Sequence, residues 1–291
     1  MARSGDGAAG AAPSPTLRQR LADPRPLLLD AAMGTALLER GLDLSQARAA
    51  AAGAPRDAIS WSLTHAREVL SIHRAHVEAG AELLLANTFG ARPPTRAELT
   101  AALSLARKAG ARYAAVALWT GLPTAELAET ARAAAGAGAD ALWLETAMHA
   151  DQACRALEAA LGAGELPVAI TLAFSAFPAG DAPADVYGPP LAQLASQGAS
   201  VVGLNCGPWD AHGASGRTTE LAVLVRALSS ALPVPLALKP DAGARTPGAW
   251  AAAVADAARS GAALVGGCCG TGAPHLRALR DELANRANPR G

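Results

Sequence analysis

Several features that mark particular protein classes are scarce in this sequence. Aromatic residues make up only 3% of its 291 residues and charged residues 17%, while Lys+Arg and Asp+Glu both number 25. No basic stripe interleaved with aromatic residues occurs, so the sequence argues against a nucleic-acid partner. The longer apolar stretches are alanine-rich and interrupted by charges, which argues against a membrane-spanning helix.

Cysteine is also scarce. Four cysteines, two of them adjacent, do not make a disulfide framework in a chain of this length. Residues 1–15 are rich in Gly, Ala, Ser and Pro and contain no continuous apolar run, so a secretory signal is not predicted. We interpret residues 1–25 as a disordered N-terminal tail, and we expect the protein to reside in the reducing cytoplasm.

From Pro26 onward, short apolar runs alternate with longer alanine-rich segments of helical character. Eight such β-then-α units predict a single-domain (β/α)8 TIM barrel over residues 26–291, with a doubly wound open sheet as the alternative. The predicted strands cover residues 27–33, 82–89, 112–119, 140–146, 168–174, 200–206, 234–238 and 262–267.

Polar and thiol side chains follow the predicted strands at the ends where a barrel of this kind places its chemistry. They come from six different strands, so their convergence on one rim is stronger support for a site than any single motif. In chain order they are Asp30, Asn87 and Thr88, Glu145 and Thr146, Cys206, Lys239 and Asp241, and Cys268 and Cys269.

The three rim cysteines, Cys206, Cys268 and Cys269, predict a zinc site. Three thiolates can hold zinc and leave a fourth position for a substrate, and adjacent cysteines rarely bond to each other. Flanking glycines would let both adjacent side chains reach one ion. The alternative is that these cysteines are buried apolar residues, which is how we interpret the mid-helix Cys154. The six histidines show no metal-ligand spacing, and we interpret His73 and His76 as surface or packing residues.

A zinc ion held by three thiolates suits a thiol substrate. A free thiol has a pKa of about 8.5, and coordination to zinc deprotonates it while leaving the sulfur nucleophilic. The anionic ligands keep that sulfur electron-rich, which favours attack on an activated methyl carbon. Activation of water for hydrolysis would be better served by neutral histidine ligands.

Five phrases of the sequence resemble the homocysteine S-methyltransferase family. That family includes the homocysteine-binding module of cobalamin-dependent methionine synthase and betaine–homocysteine methyltransferase. The phrases cover residues 28–35, 86–90, 145–146, 203–206 and 266–271, in family order. The resemblance implies a (β/α)8 barrel in which Cys206, Cys268 and Cys269 hold Zn²⁺. It also implies methyl transfer to homocysteine to form methionine.

The resemblance also implies roles for the other rim residues. Asp30 and Glu145 would hold the ammonium group of homocysteine, and the backbone around Ala31 and Ala32 would meet its carboxylate together with Asn87 and Thr88. Asn205 would contact substrate, orient Cys206 or support a zinc thiolate. Alternatives remain open for three residues: Asp30 as a turn residue, Glu145 as an ion-pair partner of Lys239, and Asn87 as a cap of the loop before Arg96.

The methyl donor is left open. The sequence contains no cobalamin or folate module, so the donor is either a small molecule (S-methylmethionine, S-adenosylmethionine or betaine) or a separate methylcobalamin protein. Alternative functions are a homocysteine-binding subunit of a split cobalamin-dependent methionine synthase, and a non-catalytic zinc- and thiol-binding protein. The family usually has Gly at the position of Ala31 and a long insertion after the third strand, where residues 117–123 predict a short, open loop.

Overall fold

The structure, a computed structural model, describes residues 14–43, 57–174, 183–207, 209 and 218–285. Eight parallel strands alternate with helices along the chain. They are β1 Leu27–Leu28, β2 Leu83–Ala86, β3 Tyr113–Trp119, β4 Ala141–Ala147, β5 Val168–Ala173, β6 Val201–Asn205, β7 Leu236–Lys239 and β8 Ala262–Val265. From β2 to β8 each strand pairs with the next one along the chain, and β1 pairs with β8.

The ring of strands meets between β1 and β2 through one parallel bridge, Leu29 to Leu83. The N–H of Glu82 adds a 2.8 Å hydrogen bond to the carbonyl of Leu28. The predicted single-domain (β/α)8 barrel is therefore confirmed. The first strand is much shorter than the predicted residues 27–33, because the chain leaves it at Leu28 and enters a helix at Met33.

The described helices surround the barrel. They are α1 Leu17–Leu21, α2 Met33–Glu39, α3 Trp61–Thr64, α4 Ala66–Glu78, α5 Arg96–Lys108, α6 Thr124–Gly136, α7 Ala150–Leu161, α8 Pro183–Ser196, α9 Thr218–Ala231, α10 Pro247–Arg259 and α11 Ala273–Asn285. Local chemistry explains several starts: Thr95 and Glu98 form a capping box on α5, and Thr246 caps α10 ahead of Pro247. Within the described ranges, no helix combines the length and apolar character needed to cross a membrane.

Small residues fill much of the barrel interior. Because side chains alternate across a strand, every second residue points inward, and many of these are alanines such as Ala115, Ala169 and Ala237. Trp143 of β4 lies among them and is only 1% exposed. One large ring therefore occupies space that the alanines leave, which is how an alanine-rich sequence packs a filled barrel.

The N-terminal end of the barrel is closed by α1, within the segment predicted to be a disordered tail. Leu17 packs into the interior cluster, and Arg20 forms a 2.6 Å ion pair with Glu82. The Tyr113 hydroxyl donates to the carbonyl of Pro15 at 2.8 Å. The tail boundary at residue 25 was therefore wrong for residues 14–25, because these partners come from distant strands. Residues 1–13 lie outside the described residues.

His73 and His76, on α4, are buried packing residues rather than ligands. Among the described residues, neither ring nitrogen of His73 has a hydrogen-bond partner. Burial lowers the pKa of His73 to about 4. Burial, followed by the charges of neighbouring groups, lowers the pKa of His76 to about 3. Both rings therefore stay neutral inside the folded protein at pH values where an unfolded chain would protonate them.

This burial predicts acid-sensitive folding. Below the ordinary histidine pKa of about 6.5, the unfolded chain binds two protons that the folded protein excludes, so the free energy of unfolding falls as pH falls toward 4. The two histidines together contribute a slope of up to about 2.7 kcal/mol per pH unit. Urea unfolding from pH 7 to pH 4.5 would measure it. His73→Leu is expected to remove about half of that slope, and the exposed control His149→Gln none; equal slopes in both variants would contradict the argument.

Candidate active site

Cys206 lies just past β6, with its backbone fixed on both sides. Its N–H donates to the carbonyl of Lys239 at 3.1 Å, and its carbonyl accepts from the N–H of Phe174 at 2.9 Å. Its φ of 47° is in the left-handed region, which residues other than glycine seldom adopt. The chain therefore holds Cys206 in a strained conformation between the ends of β5 and β7, as functional sites often do.

Cys268 and Cys269 follow β8 in a loop that is bonded to the neighbouring strand end. The N–H of Cys268 donates to the carbonyl of Pro240 at 2.9 Å, and the carbonyl of Cys269 accepts from the N–H of Ala242 at 2.9 Å. The Thr271 hydroxyl donates to the carbonyl of Cys268 at 2.6 Å. These bonds place both thiols on the same rim as Cys206.

The glycine before this pair is required by close packing. A Cβ atom on Gly267 would lie 2.1 Å from the hydroxyl oxygen of Thr271, the side chain that holds the Cys268 carbonyl. Any larger residue would push the cysteine loop away from Thr271. Gly267 therefore acts through close approach, whereas Gly270, on the other side of the pair, has a φ of 76° as the expected conformational role requires.

The three sulfur atoms are close enough to share one metal ion. All lie within 4.8 Å of one another, and the Cys206 and Cys269 sulfurs are 3.5 Å apart. Tetrahedral zinc with bonds of about 2.3 Å requires sulfur separations of roughly 3.8 Å. The observed spacing fits zinc with small adjustments, whereas a disulfide would need about 2.05 Å.

The protonation of the cluster also fits a cation. Hydrogen bonds from Cys206 and Cys268 lower the pKa of Cys269 to about 3. Hydrogen bonds with Cys206 and Cys269, together with burial, raise the pKa of Cys268 well above its ordinary value. The cluster thus accepts one negative charge easily and resists the second and third, so a bound cation is needed to make all three cysteines thiolates.

A cavity of about 290 Å³ opens beside the sulfurs, at the C-terminal end of the barrel. Its size is close to the lower end for small-molecule sites, roughly 300–1,000 Å³. Nine of the ten residues predicted for the site line it. They are Asp30, Ala31, Ala32, Asn87, Glu145, Asn205, Cys206, Cys268 and Cys269.

Two carboxylates and one lysine form a buried charge cluster in this cavity. The Lys239 ammonium lies 3.0 Å from Glu145 Oε1 and 3.5 Å from Asp30 Oδ1. Burial raises the pKa of Asp30 to about 6, partly opposed by the charge of Lys239. Burial also works against a charge on Lys239, but Glu145 and Asp30 outweigh it and raise the pKa of that ammonium. The lysine is therefore a permanent cation of the cavity.

Asn205 connects the carboxylate side of the cavity to the cysteine side. Its amide nitrogen donates to the Thr146 hydroxyl at 2.9 Å, and its amide oxygen accepts from the Thr146 N–H at 3.3 Å. Thr146 follows Glu145 and has a φ of 63°. The Asn205 side chain thus bonds the residue that follows Glu145, while Asn205 itself directly precedes Cys206 in the chain; Thr146 and Cys206 both have positive φ.

Asn87 and Thr88 take different positions. The Asn87 amide lines the cavity and donates to the carbonyl of Ala58 at 2.6 Å, so it fastens the segment before α3 rather than the loop before Arg96. The Thr88 hydroxyl donates to the carbonyl of Ala117 at 2.9 Å and accepts from its N–H at 3.0 Å. Thr88 is fully buried between β2 and β3 and does not line the cavity, so this structure gives it a structural bond in place of the predicted substrate contact.

Comparison with known proteins bears on what this cavity does. The sequence model of the homocysteine S-methyltransferase family matches residues 27–283. The chain belongs to this family. No curated protein gives a match.

Several solved structures of other proteins have the same fold as this chain. The homocysteine methyltransferase MmuM from Escherichia coli, in its oxidized form, is 19% identical with a TM-score of 0.69, covering 91% of this chain and 99% of its own. Its metallated form is 20% identical with a TM-score of 0.65, covering 88% and 96%. The carboxyl transferase domain of Rhizobium etli pyruvate carboxylase is 16% identical with a TM-score of 0.57, covering 90% of this chain and 45% of its own.

The structure places Lys239, a rim residue to which the sequence gave no ligand-binding role, in the lining of the cavity. Lys239 ends the apolar strand β7 and is only 4% exposed. The sequence does signal this position: a lysine at the end of an apolar strand is expected to be buried, and a buried lysine rarely lacks a partner. Cys154 lies on α7, packed against the outer core, as predicted.

Proposed function

We propose that this protein transfers a methyl group to the thiol of homocysteine and forms methionine in a zinc-dependent reaction. One observation supports the proposal most strongly. The sulfurs of Cys206, Cys268 and Cys269 lie together at the edge of a cavity that also holds buried carboxylates. Candidate ligands for a soft metal and candidate acceptors for an ammonium group thus line one cavity, which supports an amino-acid thiol as the substrate.

In this proposal Zn²⁺ is the cofactor and the three cysteines are its ligands. Zinc supplied there would lower the pKa of a fourth, sulfur ligand and leave that sulfur nucleophilic. The protein's own residues set the position of the ligands: the backbone bonds to Lys239, Pro240 and Ala242 hold the cysteine carbonyls and N–H groups before any ion binds. Little reorganisation is then needed on binding.

The rest of the cavity suits the polar end of homocysteine. Its ammonium group fits beside the carboxylates, where charge-assisted hydrogen bonds form. Its carboxylate fits near Ala31, Ala32 and the first turn of α2, where backbone N–H groups lack partners within the helix. Asn87 and Asn205 line the same cavity, and Asn205 bonds Thr146 near the end of β4.

The donor would approach across the rim near β3. Only four residues separate Trp119 from α6, as the short predicted loop implied. We propose that the donor is a small molecule such as S-methylmethionine, S-adenosylmethionine or betaine, or a separate methylcobalamin protein. We place the reaction in methionine biosynthesis in the cytoplasm, because four free cysteines suit a reducing compartment.

The test is methionine formation by zinc-loaded protein from homocysteine with each donor in turn, using metal-free protein as the control. We expect turnover with one class of donor and none without zinc. Turnover only with a methylcobalamin protein would identify a subunit of a split methionine synthase. Binding of homocysteine without turnover on any donor would identify a non-catalytic thiol-binding protein, and failure of the zinc-loaded protein to bind homocysteine would contradict the proposal.

A further inference from the structure

A second cavity, of about 310 Å³, lies between α2, α4 and the start of α11, and we call it the α11 cavity. It shares no lining residue with the candidate active site. The two cavities meet along one loop, because Gly270, Thr271 and Gly272 line the α11 cavity and directly follow Cys269 in the chain. The proposed methyl transfer gives this second cavity no role.

Arg40 brings an unpaired positive charge to the α11 cavity. Its guanidinium Nη1 donates to the carbonyl of Ala36 at 3.0 Å, and within the described part of the chain it forms no ion pair. A guanidinium has five N–H donors in a fixed planar fork, so several of them are left for a ligand. This geometry matches carboxylate and phosphate groups, which accept two parallel hydrogen bonds.

The first turn of α11 adds a partial positive charge to the same cavity. The helix has 13 residues and no acidic residue in its first turn. Its first N–H groups are mostly used: Gly272 donates to His275 Nδ1 at 3.2 Å, His275 donates to the carbonyl of Gly272 at 2.9 Å, and Pro274 has no N–H. The N–H of Ala273 donates to no described residue. Helix N-termini of this kind bind anions.

Two imidazole rings of the α11 cavity have unused hydrogen-bonding nitrogens. His76 lines the cavity from α4 and is 2% exposed, and its Nδ1 has no hydrogen-bond partner among the described residues. Burial lowers the pKa of His275, and this neutral ring accepts a hydrogen bond at Nδ1, so its hydrogen is on Nε2, which also lacks a described partner. Buried polar groups without partners are uncommon. Neither ring belongs to a described group of three residues that could hold a metal.

We propose that the α11 cavity binds the phosphate group of a small molecule through the Arg40 guanidinium, the Ala273 N–H and the His76 ring. TIM barrels frequently bind phosphate with the loops after their seventh and eighth strands and a helix N-terminus. Here the loop after β8 and Pro247, which follows the segment after β7, line the cavity. Its volume is near the lower end for small-molecule sites, so a phosphate monoester fits as well as inorganic phosphate. The site is independent of the proposed methyl transfer.

The experiment titrates inorganic phosphate, and glycerol phosphate as a monoester, into the full-length protein at pH 7 and follows binding by phosphorus NMR. Chloride at equal ionic strength is the reference. We expect saturable binding with a Kd of about 1 mM or below, equal in zinc-loaded and zinc-free protein because the two cavities are separate. Tighter binding of the monoester would identify an organic phosphate as the ligand, and equal affinity would identify the free ion.

Two substitutions should change the affinity in opposite directions. Arg40→Gln should weaken phosphate binding by at least about 10-fold, the range for hydrogen bonds to a charged group. Glu39→Gln should strengthen it by about two- to fivefold, because Glu39 is an exposed carboxylate that lines the same cavity and repels an anion. Arg74→Gln is the matched control, since Arg74 is an exposed arginine of α4 outside the cavity lining, and it should leave the affinity unchanged.

Circular dichroism verifies that each variant is folded. Arg40→Lys keeps the charge and loses the planar fork, so it replaces Arg40→Gln if that variant does not fold, with an expected loss of about threefold or more. Four results would each overturn the inference: no saturable binding above the chloride reference, binding only when zinc is present, binding unchanged by either Arg40 variant, or weaker binding in Glu39→Gln. None of them would contradict the proposed function, because homocysteine and zinc are assigned to the other cavity.

Discussion

Replacement of Cys268 by alanine is expected to remove bound zinc and methyl transfer to homocysteine together. Cys268 supplies one of three sulfurs within 4.8 Å of one another. Loss of a residue that merely supports a zinc ligand lowers metal affinity by about 10- to 100-fold, so loss of a ligand itself should exceed about 100-fold. With two sulfurs left, the site also loses the negative charge that keeps a substrate sulfur electron-rich.

The measurement pairs zinc content after dialysis with initial rates of methionine formation. Cys154→Ala is the matched control, because Cys154 is a half-buried thiol on α7 that is neither in the cluster nor in the lining of the cavity. It should keep both zinc and activity. A Cys268→Ala protein that still transfers methyl groups without zinc would show that the sulfur cluster is not the centre of the reaction.

The barrel and its sulfur cluster were predictable because their signals are local. Each strand is a short apolar run, and parallel strands place their C-terminal ends on one rim whatever their exact length. Cys206 and Cys268 therefore converge even though 62 positions separate them, and the adjacent glycines mark a loop that needs close packing. The positive φ of Cys206 could not be predicted in this way. Its backbone is held by hydrogen bonds to Phe174 and Lys239, which are distant in the sequence.

The rest of the site depends on contacts between distant residues. The sequence raised a Glu145–Lys239 ion pair as an alternative to substrate binding, and the structure shows the pair together with a second one to Asp30. Composition cannot reveal that Asp30 has both oxygens engaged, nor that Thr88 bonds Ala117 rather than lining the cavity. The ordered α1 segment escaped detection for the same reason, because its partners are Glu82 and the barrel interior.

Replacement of Gly203 by alanine adds a single methyl group, and we expect it to lower the stability of the folded protein strongly. Gly203 lies in β6 directly opposite Ala237 of β7, and a Cβ atom there would lie 2.2 Å from the carbonyl oxygen of Ala237. Backbone cannot rotate away as a side-chain tip can, so β6 and β7 must separate. Overpacking of this kind costs about 3 kcal/mol or more, which corresponds to a fall in Tm of roughly 6–12 °C.

The same displacement should reach the cysteine cluster, because β6 ends at Asn205 immediately before Cys206 and β7 ends at Lys239. We expect thermal unfolding to show the lower Tm and zinc titration to show weaker binding in the same Gly203→Ala protein. Gly248→Ala is the control: in the second position of α10, no described atom lies within 4 Å of a Cβ atom, so alanine should be neutral or slightly stabilising there. A Tm for Gly203→Ala equal to that of the control would contradict the prediction. It would mean that β6 and β7 lie farther apart than the structure shows, and that the pairing of these strands does not fix Cys206 relative to Lys239.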